Sequence, residues 1–204
     1  MDHAPPSPPS DASPGDGRIV HVVVMGVSGC GKSTVGALLA QALHCEFVEG
    51  DALHPAHNVE KMAAGQPLTD EDRAGWLRSI AARLADAHAQ RRSLVVSCSA
   101  LKRRYRDVLR SGAPGLRFVF LHGQPELLAQ RMALRTGHYM PPSLLDSQLA
   151  TLEPPGTDEH PIALDFSLPP QELTARAADV LGIGAAAAAV LDVSASSAAA
   201  RNAR

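Results

Sequence analysis

Residues 26–33 read Gly-Val-Ser-Gly-Cys-Gly-Lys-Ser, a match to G-x-x-x-x-G-K-[ST]. The segment before it, residues 19–25 (Ile-Val-His-Val-Val-Val-Met), is a β-branched apolar run, and the segment after it, 32–43, has helical patterning. A strand, a glycine-rich turn and a helix in that order define a phosphate loop, and few folds accommodate one. The glycines let the backbone curl so that successive N–H groups point inward at phosphate oxygens. The following helix adds the positive end of its dipole. The expected nucleotide-binding residues are Gly26, Val27, Ser28, Gly29, Cys30, Gly31, Lys32, Ser33 and Thr34. Lys32 is expected to reach the β- and γ-phosphates, and the Ser33 hydroxyl to ligate Mg²⁺ beside ATP.

The rest of the chain repeats the alternation. Strands are expected at 45–49, 93–97, 116–122 and 162–166, and helices at 55–64, 70–90, 101–111, 125–135 and 170–181. Thr69 or Asp70 is the N-cap of the long helix. Apolar strands separated by helices predict an α/β fold in three layers, α/β/α, around a five-stranded parallel sheet. Residues 1–17 are rich in Pro, Ser, Asp and Gly and predict a disordered tail, whereas 184–204 form an Ala/Ser-rich tail without an apolar stripe. The folded unit is expected at 18–183.

Composition then removes function classes. Nineteen Lys and Arg against 21 Asp and Glu leave a net charge of −2, too balanced for a broad nucleic-acid or anionic-lipid footprint. No apolar run approaches the roughly 18–20 residues that span a bilayer, so a membrane protein is not expected. The N-terminus lacks a secretory pattern. Three scattered cysteines, Cys30, Cys45 and Cys98, predict reduced thiols in a cytoplasmic protein rather than disulfides or a zinc site. A Cys inside the loop has two readings, an acidified redox-sensitive thiol or simply a small residue that fits, and the second is preferred. No N-K-x-D segment is present for guanine and no L-S-G-G-Q segment for a transport ATPase. A small-metabolite kinase fits best.

The acceptor side starts at Glu49-Gly50-Asp51, followed by Leu53-His54-Pro55. In an open α/β sheet the C-terminal strand ends face the ligand crevice, which brings Asp51 near the phosphate loop as a candidate base for an attacking hydroxyl. A turn-capping Asp is the structural alternative. Strand 93–97 ends in Ser97, where a second nucleotide-binding strand would usually end in Asp. Arg131 and Arg135 share one helical face, and Gly137 follows before His138 and Tyr139.

Five separated motifs carry a resemblance: G-V-S-G-x-G-K-S; G-D-x-L-H-P; N-x-x-K-M-x-x-G-x-P-L-x-D-x-D-R-x-x-W-L; C-S-A-L-K-x-x-Y-R-D-x-L-R; and R-x-x-x-R-x-G-H. In that order, over about 20–182, the chain resembles the gluconate kinases of the thermoresistant type. The resemblance implies strand order 2-3-1-4-5, a small mobile lid, a homodimer, and ATP-dependent phosphorylation of D-gluconate at its 6-hydroxyl. Lid arginines Arg131 and Arg135 would neutralise charge on the transferring phosphoryl. A sugar acid needs cations for its carboxylate and hydrogen-bonding groups for its hydroxyls. His54, Lys61, Arg73, Lys102 and Arg106 are the candidate cations, and Asp51 the hydroxyl-binding or basic group. Gln148 and the 151–155 stretch are placed near the adenine, and Mg²⁺ on Ser33, with Asp51 or Ser99 as further candidates. Trp76 reads as core. Another polyol acid such as shikimate is the nearest alternative acceptor, and a nucleotide-gated binding module the non-catalytic one.

Overall fold

The computed structural model describes residues 18–133 and 142–184. The two tails and the segment carrying Arg135, Gly137, His138 and Tyr139 lie outside the described residues. Five strands form one sheet: β1 (His21–Met25), β2 (Glu46–Glu49), β3 (Leu94–Ser97), β4 (Arg117–His122) and β5 (Ile162–Asp165). Their order is β2-β3-β1-β4-β5, and every pairing is parallel. Val22 lies opposite Val95 of β3, and Val23 opposite Phe118 of β4.

All five residues of β1 are buried. Successive side chains on a strand point to opposite faces, so both faces of the sheet are covered, and a continuous apolar run is the sequence that such a strand needs. At the edge, β5 alternates instead, with Ile162 and Leu164 buried and Ala163 and Asp165 exposed. Among the described residues, seven helices surround the sheet: α1 (Lys32–Ala42), α2 (Ala56–Ala63), α3 (Asp70–Ala89), α4 (Arg103–Arg110), α5 (Pro125–Ala133), α6 (Pro142–Thr151) and α7 (Pro170–Leu181). Helix α1 packs on β1, β2, β3 and α7, while α3 packs on α4. Thr69 caps α3: its hydroxyl accepts from the Asp72 amide at 3.2 Å, and the Asp72 carboxylate accepts from the Thr69 amide at 2.7 Å.

Sequence reasoning did not place α6. Its Leu145 and Leu149, with Leu152 just past its end, repeat at i, i+4 and i+7 and pack on the core, a helical stripe sited among residues that drew attention as nucleotide contacts. Two short 3₁₀ turns, Gly50–Leu53 and Thr157–Glu159, were also not expected. Trp76 is a core residue as expected, 1 % exposed. No described helix is long and apolar enough to cross a membrane.

Where β2 passes into the first 3₁₀ turn, Gly50 lies directly against the Ser97 carbonyl of β3. The Gly50 amide donates to Ser97 Oγ at 3.2 Å, and the Gly50 carbonyl accepts from Trp76 Nε1 at 2.7 Å. A Cβ here would collide with backbone, which cannot rotate away. Gly50→Ala is expected to lower stability by about 1–3 kcal/mol, the range for overpacking, read as a drop in the urea unfolding midpoint.

Candidate active site

The chain leaves β1 through Gly26, whose φ of 141° is open to glycine and strained for other residues. A Cβ at Gly26 would stand 2.6 Å from the Leu121 carbonyl of β4 and 2.9 Å from Cys30 Sγ. The loop is thus wedged against the neighbouring strand before it turns into α1, which presents its N-terminus to the same space. Lys32 Nζ donates to the Val27 carbonyl at 3.0 Å, so the ammonium lies folded over the loop. Gln148 of α6 accepts from the Ser28 amide at 2.8 Å. A cavity of about 200 Å³ is lined by Ser28, Gly29, Gly31, Lys32, Ser33 and Thr34 from the loop and α1, and by Glu49 and Asp51 from the end of β2. Loop and candidate base therefore share one space.

Glu49 is a site residue that sequence reasoning passed over. Its carboxylate accepts from Ser97 Oγ, the residue standing where an Asp was expected on β3. The carboxylate at this strand edge comes from β2, and β3 supplies the hydroxyl that orients it. The signal was available, since Glu49 is the last residue of an expected strand. Among the described residues, no three His, Cys, Asp or Glu side chains gather as a metal site. The oxygens of Ser33, Glu49 and Asp51 around one cavity instead suit Mg²⁺, which takes few protein ligands and shares the rest with phosphates and water.

Cys30 is buried, and burial pushes its thiol up despite nearby Lys32. The small-residue reading holds over an acidified thiol. Cys98, buried beneath the site, is pushed up to about 12 by desolvation, with Asp51, Lys32 and Arg73 all near enough to act on it. Cys30, Cys45 and Cys98 are all free.

The acceptor candidates separate into three groups. His54 lies within the field of both Asp51 and Arg73: burial pushes the His54 imidazole down, Asp51 opposes this and Arg73 adds to it. His54 stacks on Trp76 with centroids 4.1 Å apart at 18°. Arg73 is held by the Leu68 carbonyl and lies 5.9 Å from the Tyr105 ring centroid. Lys61 and Lys102 are half-buried and paired. Lys61 Nζ is 2.6 Å from Asp72, whose carboxyl is held at about 2 by that bond and by the Thr69 amide. Lys102 Nζ is 3.0 Å from Asp70, which also accepts from Arg104 and the Tyr105 hydroxyl.

Arg106 belongs to neither group, and the expectation that it offers a cation to the acceptor is corrected. It is 1 % exposed. Nε and a terminal nitrogen donate to the two oxygens of Glu159 at 2.7 and 2.6 Å, and the other terminal nitrogen to the Ala100 and Glu153 carbonyls at 3.2 and 3.0 Å. Arg110 donates to Glu159 at 2.7 Å. All of Arg106's charge is consumed in tying α4 to the 153–159 segment. Glu153 itself receives the Arg103 amide at 2.7 Å, at the start of α4. Arg131 of α5 lies with its guanidinium 5.6 Å from the Phe166 ring centroid and acts on Cys30 of the loop.

The chain matches the shikimate kinase family over residues 28–152. It is 43% identical over 164 residues to the thermoresistant gluconokinase of Escherichia coli K12, spanning 79% of this chain and 93% of that protein. It is 54% identical over 138 residues to a gluconokinase of Gluconobacter oxydans 621H, spanning 68% of this chain and 78% of that one. The crystal structure of a gluconokinase from Sinorhizobium meliloti 1021 superposes with a TM-score of 0.72 at 50% identity, covering 85% of this chain and 94% of that chain.

Arg106→Leu leaves the Glu159 carboxylate buried and under-paired, a change expected to cost about 3–5 kcal/mol, read in urea denaturation. The Glu159 carboxyl is held at about 2 against an ordinary 4.5, by Arg106 first. A depressed carboxylate contributes in full above the unfolded value, so the penalty is expected in full at neutral pH. It shrinks as pH falls from 4.5 toward 2.

Proposed function

The chain belongs to the gluconokinase family, built on a shikimate kinase-family domain, and from that premise we propose that it transfers the γ-phosphoryl group of ATP to the 6-hydroxyl of D-gluconate. The products are 6-phospho-D-gluconate and ADP. The observation that carries this reading is the single cavity shared by Lys32, Ser33 and Asp51, where a nucleotide's terminal phosphate and an acceptor hydroxyl would meet. The catalytic unit is 18–183, acting in the cytoplasm as a homodimer.

Phosphoryl transfer asks little covalent chemistry of a protein, so positioning and charge neutralisation supply most of the rate. The amides of residues 26–34 and the N-terminus of α1 bind the phosphates, and Lys32 swings from the Val27 carbonyl onto the β- and γ-oxygens. Mg²⁺ would be held by Ser33 with Glu49 or Asp51, and when bound it offsets charge on the β- and γ-phosphate oxygens. Asp51 is exposed at the cavity wall and accepts the proton of the 6-hydroxyl as the oxygen attacks phosphorus. His54 and Arg73 hold the sugar acid's oxygens, Lys61 and Lys102 enlarge the positive field around its carboxylate, and Arg131 with Arg135 neutralises the transferring group.

The match to the shikimate kinase family keeps a second acceptor in view, although Ser97-Cys98-Ser99-Ala100 stands where a G-G-G turn typically follows the third strand. ADP release measured over gluconate, shikimate, other sugar acids and nucleoside monophosphates is expected to respond to gluconate well above the rest. Equal or greater turnover on shikimate would overturn the assignment. Asp51→Asn is expected to lower kcat by about 10²–10⁴-fold, the usual range for a lost general base, while ATP affinity by calorimetry stays near that of the parent. Parallel loss of both would make Asp51 structural.

A further inference from the structure

Asn58 of α2 is completely buried, yet its Oδ1 has no hydrogen-bond partner among the described residues. A buried polar atom left unpaired costs about 1–3 kcal/mol, which an aliphatic side chain of similar size would avoid. The value of an amide here lies in its nitrogen. Nδ2 stands 2.8 Å from the Asp72 carbonyl oxygen and 3.2 Å from His54 Nδ1. A backbone carbonyl can only accept, so the nitrogen, and not the oxygen, must face it. That fixes the orientation of the amide independently of His54. Nδ2 carries two hydrogens, one for Asp72 and one for His54. His54 Nδ1 therefore accepts, carries no hydrogen, and leaves the ring proton on Nε2.

The rest of the ring's surroundings agree. Trp76 of α3 stacks against one face of His54 and is itself locked by its bond to the Gly50 carbonyl. Asp51 in the preceding 3₁₀ turn and Arg73 on α3 are the charged groups that act on the ring, in opposite directions, and burial outweighs both. A ring whose Nδ1 accepts has no hydrogen there, so in this arrangement the imidazole is neutral.

We propose that Asn58 is a positioning residue that holds His54 in its Nε2–H tautomer, so that His54 meets the acceptor as a neutral hydrogen-bond donor. The role at the acceptor rests on the function proposed above; the tautomer does not. With the proton on Nε2, the ring can donate to a hydroxyl or carboxylate oxygen and cannot accept from an ammonium group. The preference for an oxygen-rich acid over an amino sugar at this point is thus set one residue behind the surface that touches substrate.

Long-range ¹H–¹⁵N correlation spectra of the full chain, labelled at histidine nitrogens, read the tautomer directly, with His54→Gln assigning the ring. The spectra are recorded without gluconate, so they stand apart from the acceptor's identity. A neutral Nε2–H ring is expected in the parent chain. In Asn58→Leu both tautomers are expected, with an unfolding midpoint equal to or above the parent's. The KM for gluconate should rise about three- to tenfold, the worth of one neutral hydrogen bond, at unchanged kcat and ATP affinity. In Asn58→Asp, a carboxylate opposite Nδ1 should draw a proton there and move the His54 titration to higher pH. A parent ring protonated on Nδ1 overturns the proposal, and so does an Asn58→Leu chain with the parent's tautomer or the parent's gluconate KM. If Asn58→Leu does not fold, the parent spectrum and the Asn58→Asp titration decide the tautomer. A parent chain inert toward gluconate but carrying the Nε2–H ring would instead sink the functional reading alone.

Discussion

Parallel pairing of β1 between β3 and β4 is the constraint on which the rest depends. In a parallel sheet all strands end at the same edge. The loop after β1, the Glu49-Gly50-Asp51 corner after β2 and the Ser97–Lys102 segment after β3 are therefore brought together without any being adjacent in sequence. Gly26 and Gly50 show how tight that edge is. Each lies against the backbone of a neighbouring strand, at Leu121 and Ser97 respectively. A side chain at either position would push apart the strands whose ends build the cavity.

The same edge explains how the charges divide. Arg106 and Glu159 are both nearly inaccessible, and each satisfies the other, with main-chain carbonyls taking the remaining guanidinium hydrogens. A buried pair of this kind tolerates no loss of one partner. Lys61 and Lys102 are paired too, but with Asp72 and Asp70 near the α3 N-terminus and at the surface of the site. These pairs keep partial solvent contact, unlike Arg106 and Glu159. Burial, more than residue type, separates the structural arginine from the candidate binding cations.

Neutral groups carry as much of the acceptor site's order as charged ones. Trp76 is core by exposure, yet its indole nitrogen fixes the Gly50 carbonyl and its face supports His54. Asn58 and Ser97 orient His54 and Glu49 in the same way. None of these residues lines the cavity; Ser97 fixes Glu49, which does, and Asn58 and Trp76 contact His54 close by. A site built on such supports needs little rearrangement to bind, which is the condition for electrostatic stabilisation to raise a rate.

The order of strands and helices was legible because each element carries a local signal: the β-branched run of β1, the Thr69 cap of α3 and the glycine-rich turn at 26–31. The phosphate loop was legible for the same reason, being one continuous segment whose chemistry is intrinsic to its spacing. Helix α6 was not, since its stripe of leucines spans only three positions. Pairwise relations between distant residues were out of reach. Nothing in the local sequence distinguishes Arg106, sealed against Glu159, from Arg73, held by the Leu68 carbonyl beside the Tyr105 ring. Nothing local reveals that Glu49 answers Ser97, or that Asn58 turns its nitrogen to both Asp72 and His54. Sequence alone determined the sheet, the loop and the family, because these follow from short-range periodicity and contiguous motifs. Tertiary structure decided which charges are buried and which polar atoms are paired, because those depend on what burial and a neighbouring element present to each side chain.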